Sequence, residues 1–177
     1  MAERNVLVDG GVNNVRTLAS GDTAAGLTRP LFNRFANATT TTTAQETTWS
    51  NTIAAGTFVS DGGTVRFVYA GTTTANANEK DWNLQFNGNV LIQVNYLANV
   101  GDWRIEGTLI RASNTEVRCF SQYTTGNGSE YPMIDYVELT GLNLTTTGYA
   151  LALKLTTADA AGNITAKFAQ ATYSPGV

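Results

Sequence analysis

The chain has 177 residues, enough for one domain of ordinary size plus an appendage. Only 14% of them are charged, the formal net charge is −3 and histidine is absent, so threonine, asparagine, serine and glycine must cover most of the surface. Without clustered Lys and Arg there is no electrostatic footprint for nucleic acid. Without histidine the Ser-His-Asp triad, the Cys-His dyad and the His-rich zinc site are all excluded.

Residues 1–45 differ in composition from the rest of the chain. VLVDGGVNN and TLASGDTAAGLTRP carry short apolar touches, and LFNRFANATTTTTAQETT runs into a threonine tract. Such a segment alone buries too little apolar surface to offset its conformational entropy, which predicts an extended arm that orders on a partner or on sister chains. Its anchors would be Val6, Leu7, Val8, Leu31, Phe32 and Phe35, with Arg29 and Arg34 beside them. The tract 39–43 reads as an extended connector stiffened by β-branching; a first edge strand is the other reading. The first residues, MAERNVLVDGG, contain no apolar h-region, and no later run approaches the ~20 apolar residues of a membrane helix. A soluble chain made without a cleaved signal is expected.

From residue 46 to 177 a second unit is expected, all-β and built as a sandwich. Apolar residues recur at every second position: Val65, Phe67 and Tyr69 share one face, as do Trp82, Leu84 and Phe86, then Val90, Ile92 and Val94, then Trp103, Ile105 and Leu109. Strands are predicted near 49–59, 63–70, 81–87, 89–97, 102–111, 115–123, 132–140, 149–156 and 163–172. Their spacing, with Gly and Asn between them, fits a sandwich or jelly roll and not a βαβ fold. Asn87-Gly88 is the clearest hairpin signal, since both residues tolerate positive φ. The tracts 72–80 and 124–131 read as polar loops at the tips. Val68, Leu91, Leu97 and Ile110 alternate away from the core face and would lie in water unless an interface covers them. Cys119 shares a face with Val117 and Ser121, and one thiol with no neighbouring His reads as a buried structural residue.

The wording of this region carries a resemblance. AAGTF, the turn DGGTVRF, the tract AGTTTANANEKDW, the turn FNGN and the strand GDWRIEGTLIR, with the pattern that continues to the C-terminus, resemble the jelly-roll domains of tailed-bacteriophage virion proteins: tail fibres, head fibres and capsid decoration proteins. The resemblance implies a homotrimer on the virion exterior that binds the major capsid or tail protein of its particle, or host surface glycans. On this reading the chain is a decoration or fibre component that docks through its N-terminal arm, with neither a cofactor nor a metal.

Residues that could carry other chemistry have structural readings. Asp61, Asp81, Glu106, Glu130, Asp135 and Glu138 are the carboxylates from which a polysaccharide-cleaving pair would be drawn; Asp61 lies in a DGG turn, where Asp shapes the backbone. DGG at 9–11 and 61–63 and the run NANEKDWN offer oxygen ligands, but not at EF-hand spacing. Arg104 and Arg111 fall on opposite faces of one strand, placed for carboxylates of a neighbouring copy or for water. Trp82 and Trp103 belong to the core. Tyr123, Tyr131 and Tyr136 flank the TGNGSEYP loop, where their rings could stack on sugars as a host-glycan site.

Overall fold

The computed structural model describes residues 6–8, 15–17, 28–74, 78–96, 101–126, 133–157 and 163–176, the first two segments and Tyr96 as backbone alone. All described secondary structure is β. The strands are β1 (Val6–Val8), β2 (Val15–Thr17), β3 (Arg29–Arg34), β4 (Ala38–Thr39), β5 (Glu46–Ile53), β6 (Thr64–Thr73), β7 (Lys80–Phe86), β8 (Asn89–Tyr96), β9 (Asp102–Ser113), β10 (Glu116–Thr125), β11 (Met133–Leu139), β12 (Tyr149–Thr157) and β13 (Ile164–Ser174). β1 and β2 form a two-stranded hairpin of their own. No described helix is long and apolar enough to cross a membrane.

The other strands make two antiparallel sheets. The larger runs β11-β10-β9-β6-β13-β3, with β4 also paired to β13; the smaller runs β5-β12-β7-β8. Setting β10 and β11 aside leaves 3-13-6-9 facing 5-12-7-8. That is the double Greek key of a jelly roll, in which the chain crosses from sheet to sheet. β10 and β11 are an extension: they widen the larger sheet beyond β9 and lie against β8 of the other.

Period-two patterning builds the core. Val65, Phe67 and Tyr69 of β6, Trp82, Leu84 and Phe86 of β7, Trp103, Ile105 and Leu109 of β9, and Leu151, Leu153 and Leu155 of β12 all point between the sheets and have essentially no exposed surface. Trp82 packs on Trp103 with ring centroids 6.0 Å apart, and the Trp103 Nε1–H donates to the Thr72 carbonyl at 3.4 Å. The turn between β7 and β8 has φ of 51° at Asn87 and 79° at Gly88, as a two-residue hairpin of the primed type requires. Cys119 is a free, buried thiol, and its desolvation pushes its pKa up to about 12.

Three expectations are corrected. The segment 1–45 is not an arm throughout: β3 pairs with β13 from Arg34↔Ala169 to Arg29↔Tyr173, and β4 adds Thr39↔Thr165. The ladder supplies backbone partners, and Leu31 and Phe32 pack against the core, so this stretch is ordered by its own domain. Beyond β4 the threonine tract bends, and the Glu46 carboxylate accepts from the Thr41 N–H and, at 2.8 Å, from its hydroxyl. The third correction concerns β8. Leu84 pairs with Ile92 but Gln85 with Val90, which leaves Leu91 as a bulge. Leu91 is therefore buried, not outward, while Val90 is 39% exposed, not inward. Val68 and Ile110 are half-buried, and Leu97 lies outside the described residues.

Candidate functional site

The outer face of β10 and β11 departs from the polar exterior. Because Val117, Cys119, Ser121 and Tyr123 point inward, their neighbours Arg118, Phe120 and Gln122 must point out. The register sets Arg118 opposite Glu138, Phe120 opposite Tyr136 and Gln122 opposite Ile134. Phe120 is 50% exposed, Ile134 68% and Tyr136 44%. The Phe120 and Tyr136 rings lie 4.7 Å apart at 45°, a tilted cross-strand pair.

Charges frame this apolar row at both ends. At one end Arg118 Nε donates to Glu116 Oε1 at 2.9 Å and stands 3.6 Å from Glu138 Oε1. The Tyr136 hydroxyl donates to the same Glu138 oxygen at 2.6 Å, and that bond raises the phenol's pKa. At the other end Glu106 receives Arg104 at 2.5 Å and the Gln122 amide at 2.5 Å. Between the ends a shallow groove of about 360 Å³ crosses from β6 to β11, walled by Arg66, Val68, Thr108, Phe120, Gln122 and Ile134.

The residues singled out from sequence fall in different places. Val6, Leu7 and Val8 form β1, whose side chains lie outside the described residues. Arg29 lies over the Tyr173 ring at 5.1 Å, Phe32 packs 6.4 Å from Tyr69 and Arg34 Nε donates to Asn51 Oδ1 at 2.7 Å. Of the five candidates at 29–35, Phe35 is the most exposed, at 73%, with one side of its ring against Phe168. The expected tyrosine site is not assembled. Tyr123 is a core residue, 5.1 Å from Trp82, with its hydroxyl buried, unpartnered and raised in pKa by desolvation; Tyr131 lies outside the described residues. A stacking face needs an exposed ring, and Tyr136 alone of the described pair offers one.

The carboxylates hold structure. Asp61 accepts from Arg111 Nε at 2.8 Å, and Arg111 also reaches the Phe58 carbonyl. Asp135 Oδ1 accepts from the Tyr136 N–H at 2.8 Å. Asp81 keeps a buried, unpartnered Oδ1, and burial, then the neighbouring Glu79, raise its pKa. Glu130 and the 9–11 DGG lie outside the described residues. Among the described residues no three His, Cys, Asp or Glu side chains come together to hold a metal ion. Sequence reasoning misses Phe120 and Ile134, although Phe120 alternates away from Val117 and Cys119 and is legible as outward.

No family model and no curated protein matches the chain. It is similar in structure to the CBM2 module of the evolved Dit of a Lactobacillus casei phage, with 11% identity over 72% of this chain and 69% of that one, at a TM-score of 0.39. It is also similar to the VP2 subviral particle of infectious bursal disease virus (12% identity, 98% of this chain, 38% of that chain, TM-score 0.33). T=1 particles derived from infectious bursal virus give 13%, 97%, 36% and 0.33. The chain spans little more than a third of those last two. At this level of likeness, function has to be argued from the chain's own residues.

Proposed function

We propose that this chain is a structural component of a tailed-phage particle, a homotrimeric jelly roll displayed on the capsid or tail exterior as a decoration or fibre protein. The observation that carries the reading is the outer face of β10 and β11, where Phe120, Ile134 and Tyr136 stand exposed together. The β10–β11 extension presents an apolar surface that a monomer would leave in water, and contiguous apolar patches on soluble domains mark interfaces. A second copy is the occupant argued for. Both signs of charge frame the patch, so copies can meet without like-charge conflict. The resemblance of the sequence to phage virion jelly rolls supplies the particle.

Attachment is assigned to residues 1–27, where Val6, Leu7 and Val8 are the anchors, with Phe35 the exposed aromatic at the exit from β3. The partner is the major capsid or tail protein. Light scattering of the full chain should give three times the 18.9 kDa chain mass, and Phe120→Ser with Ile134→Ser should give a folded monomer. A monomer from the unsubstituted chain at micromolar concentration would sink the assembly reading.

A further inference from the structure

β13 breaks its alternation at one residue. Ala166 pairs with Gly71 and Phe168 with Ala70, so Lys167 is left over as a bulge. Ala166 and Ala169 are both fully buried, and the extra residue therefore turns Lys167 and Phe168 side by side to the exterior, where a regular strand would alternate them. Gly71 makes the bulge feasible, because the Thr165 carbonyl folds over its backbone where a Cβ would stand. The two side chains open onto a groove of about 510 Å³ on the outer face of the larger sheet, whose other walls include Asp102, Arg104, Thr72 and Thr125.

The polar groups of this groove are unusually unspent. Lys167 and Asp102 carry opposite charges into one groove, yet among the described residues neither is in an ion pair, with the other or with any third group. Arg104 turns to Glu106 at 2.5 Å, and a guanidinium with five donors keeps others for the groove. Phe168 supplies an aromatic wall, extended by the exposed Phe35 ring 5.4 Å away.

We infer that this groove binds a neutral saccharide, its apolar ring face against Phe168 and its hydroxyls spanning the gap from Lys167 to Asp102. A hydroxyl both donates and accepts, so one sugar ring can satisfy an ammonium on one side and a carboxylate on the other. The rival ligand classes fit worse. An extended peptide binds a sheet by adding to an edge, and this groove lies on the face of strands that each have neighbours on both sides. A polyanion needs charge of one sign, and here a carboxylate faces the cations. The residues tested below, Lys167, Asp102 and Phe168, lie outside the β10–β11 patch.

The test uses the full chain on an array of neutral and acidic oligosaccharides, followed by titration calorimetry on those that bind. The expected result is binding to a neutral saccharide that Lys167→Met, Asp102→Asn and Phe168→Ala each weaken about tenfold or more. It should persist in the Phe120→Ser, Ile134→Ser variant and hold when salt rises from about 0.05 to about 0.5 M, as an uncharged ligand requires. Circular dichroism checks that each variant is folded, and Lys167→Met and Asp102→Asn alter exposed side chains. Three outcomes would each overturn the assignment: no neutral saccharide bound at millimolar concentration, binding indifferent to Lys167→Met and Asp102→Asn, or binding confined to acidic saccharides and lost with salt.

Discussion

A methyl group at Gly71 is the most direct probe of how the larger sheet is built. Gly71 lies on β6 opposite Ala166, and a Cβ there would stand 2.7 Å from Trp103 Cζ2 and 2.9 Å from the Thr165 carbonyl carbon, with the carbonyl oxygen nearer still. Ordinary contact begins at 3.4 Å, so the indole must withdraw by about 0.7 Å into an interior packed at crystal-like density. It has nowhere to go: Trp103 is fully buried and rests against Trp82. The carbonyl cannot yield without dissolving the bulge. Overpacking of this kind costs ~1–3 kcal/mol, and a backbone obstacle places Gly71→Ala at the top of that range. The lower entropy of the unfolded Ala chain returns only ~0.4–1 kcal/mol. A net loss of about 2 kcal/mol should lower Tm by ~4–8 °C for a chain of this length, read by calorimetry or circular dichroism. An unchanged or higher Tm would mean that the Thr165 carbonyl does not cover Gly71. The bulge would then be absent, Lys167 and Phe168 would alternate, and the saccharide groove would go with it.

The same packing sets the other expected outcomes. Trp103→Ala should cost ~3–5 kcal/mol in chemical denaturation, the range for truncating a buried large aromatic; a small effect would place the ring at the surface. Deleting 1–27 should leave the sandwich folded and abolish co-sedimentation with particles lacking the protein, whereas deleting 1–45 should destabilise the sandwich as well, because it removes β3 and β4 from β13. Equal melting temperatures for the two truncations would show that β3 contributes nothing. The Cys119 thiol should resist alkylation at pH 8 until denaturant is added. Its pKa, raised in the fold from 9.0 to about 12, means that the unfolded chain loses the proton first, so this group's share of stability is complete below about pH 9 and falls as pH rises towards 12. Rapid labelling of the native protein would contradict its burial.

Where side chains alternate without interruption, the pattern of residues is enough to place the strand and its inner face. Phe67, Leu84, Ile105 and Leu153 are core because their neighbours two positions away are also apolar, and a pleated strand has only two sides. The failures sit where that period breaks. Leu91 and Lys167 are bulge residues, and a bulge arises from the pairing of two distant strands, which no local window contains. β3 escapes the pattern for a related reason. RPLFNR begins with Arg-Pro and presents no clean alternation, features that demote a run to a loop or an edge, and an edge strand of the larger sheet is what it forms. Tyr123 reads as the last residue of its strand, flanking a polar loop, yet β10 continues through Thr125 and carries Tyr123 inward. The candidate surfaces are hard to read for the same cause: the alternation that marks a core on one face says nothing of what the other face meets.

The extension of the jelly roll ties its inner packing and its exposed outer row together through a single register. On its inner face Tyr123 packs against Trp82 and the Ser121 hydroxyl donates to the Leu91 carbonyl at 3.0 Å, fastening β10 to the bulge of β8. On its outer face the same ladder brings Phe120 to Tyr136 and Gln122 to Ile134. A slip of one residue would send Cys119 out and Phe120 in, and the core therefore fixes the register that the exposed row depends on. Outward substitutions leave the inward set untouched, so the exposed row can change while the closure over β8 stays intact. An eight-stranded jelly roll without the hairpin would leave Leu91 and the edge of β8 uncovered, which is why this insertion has a structural use even before any second copy arrives.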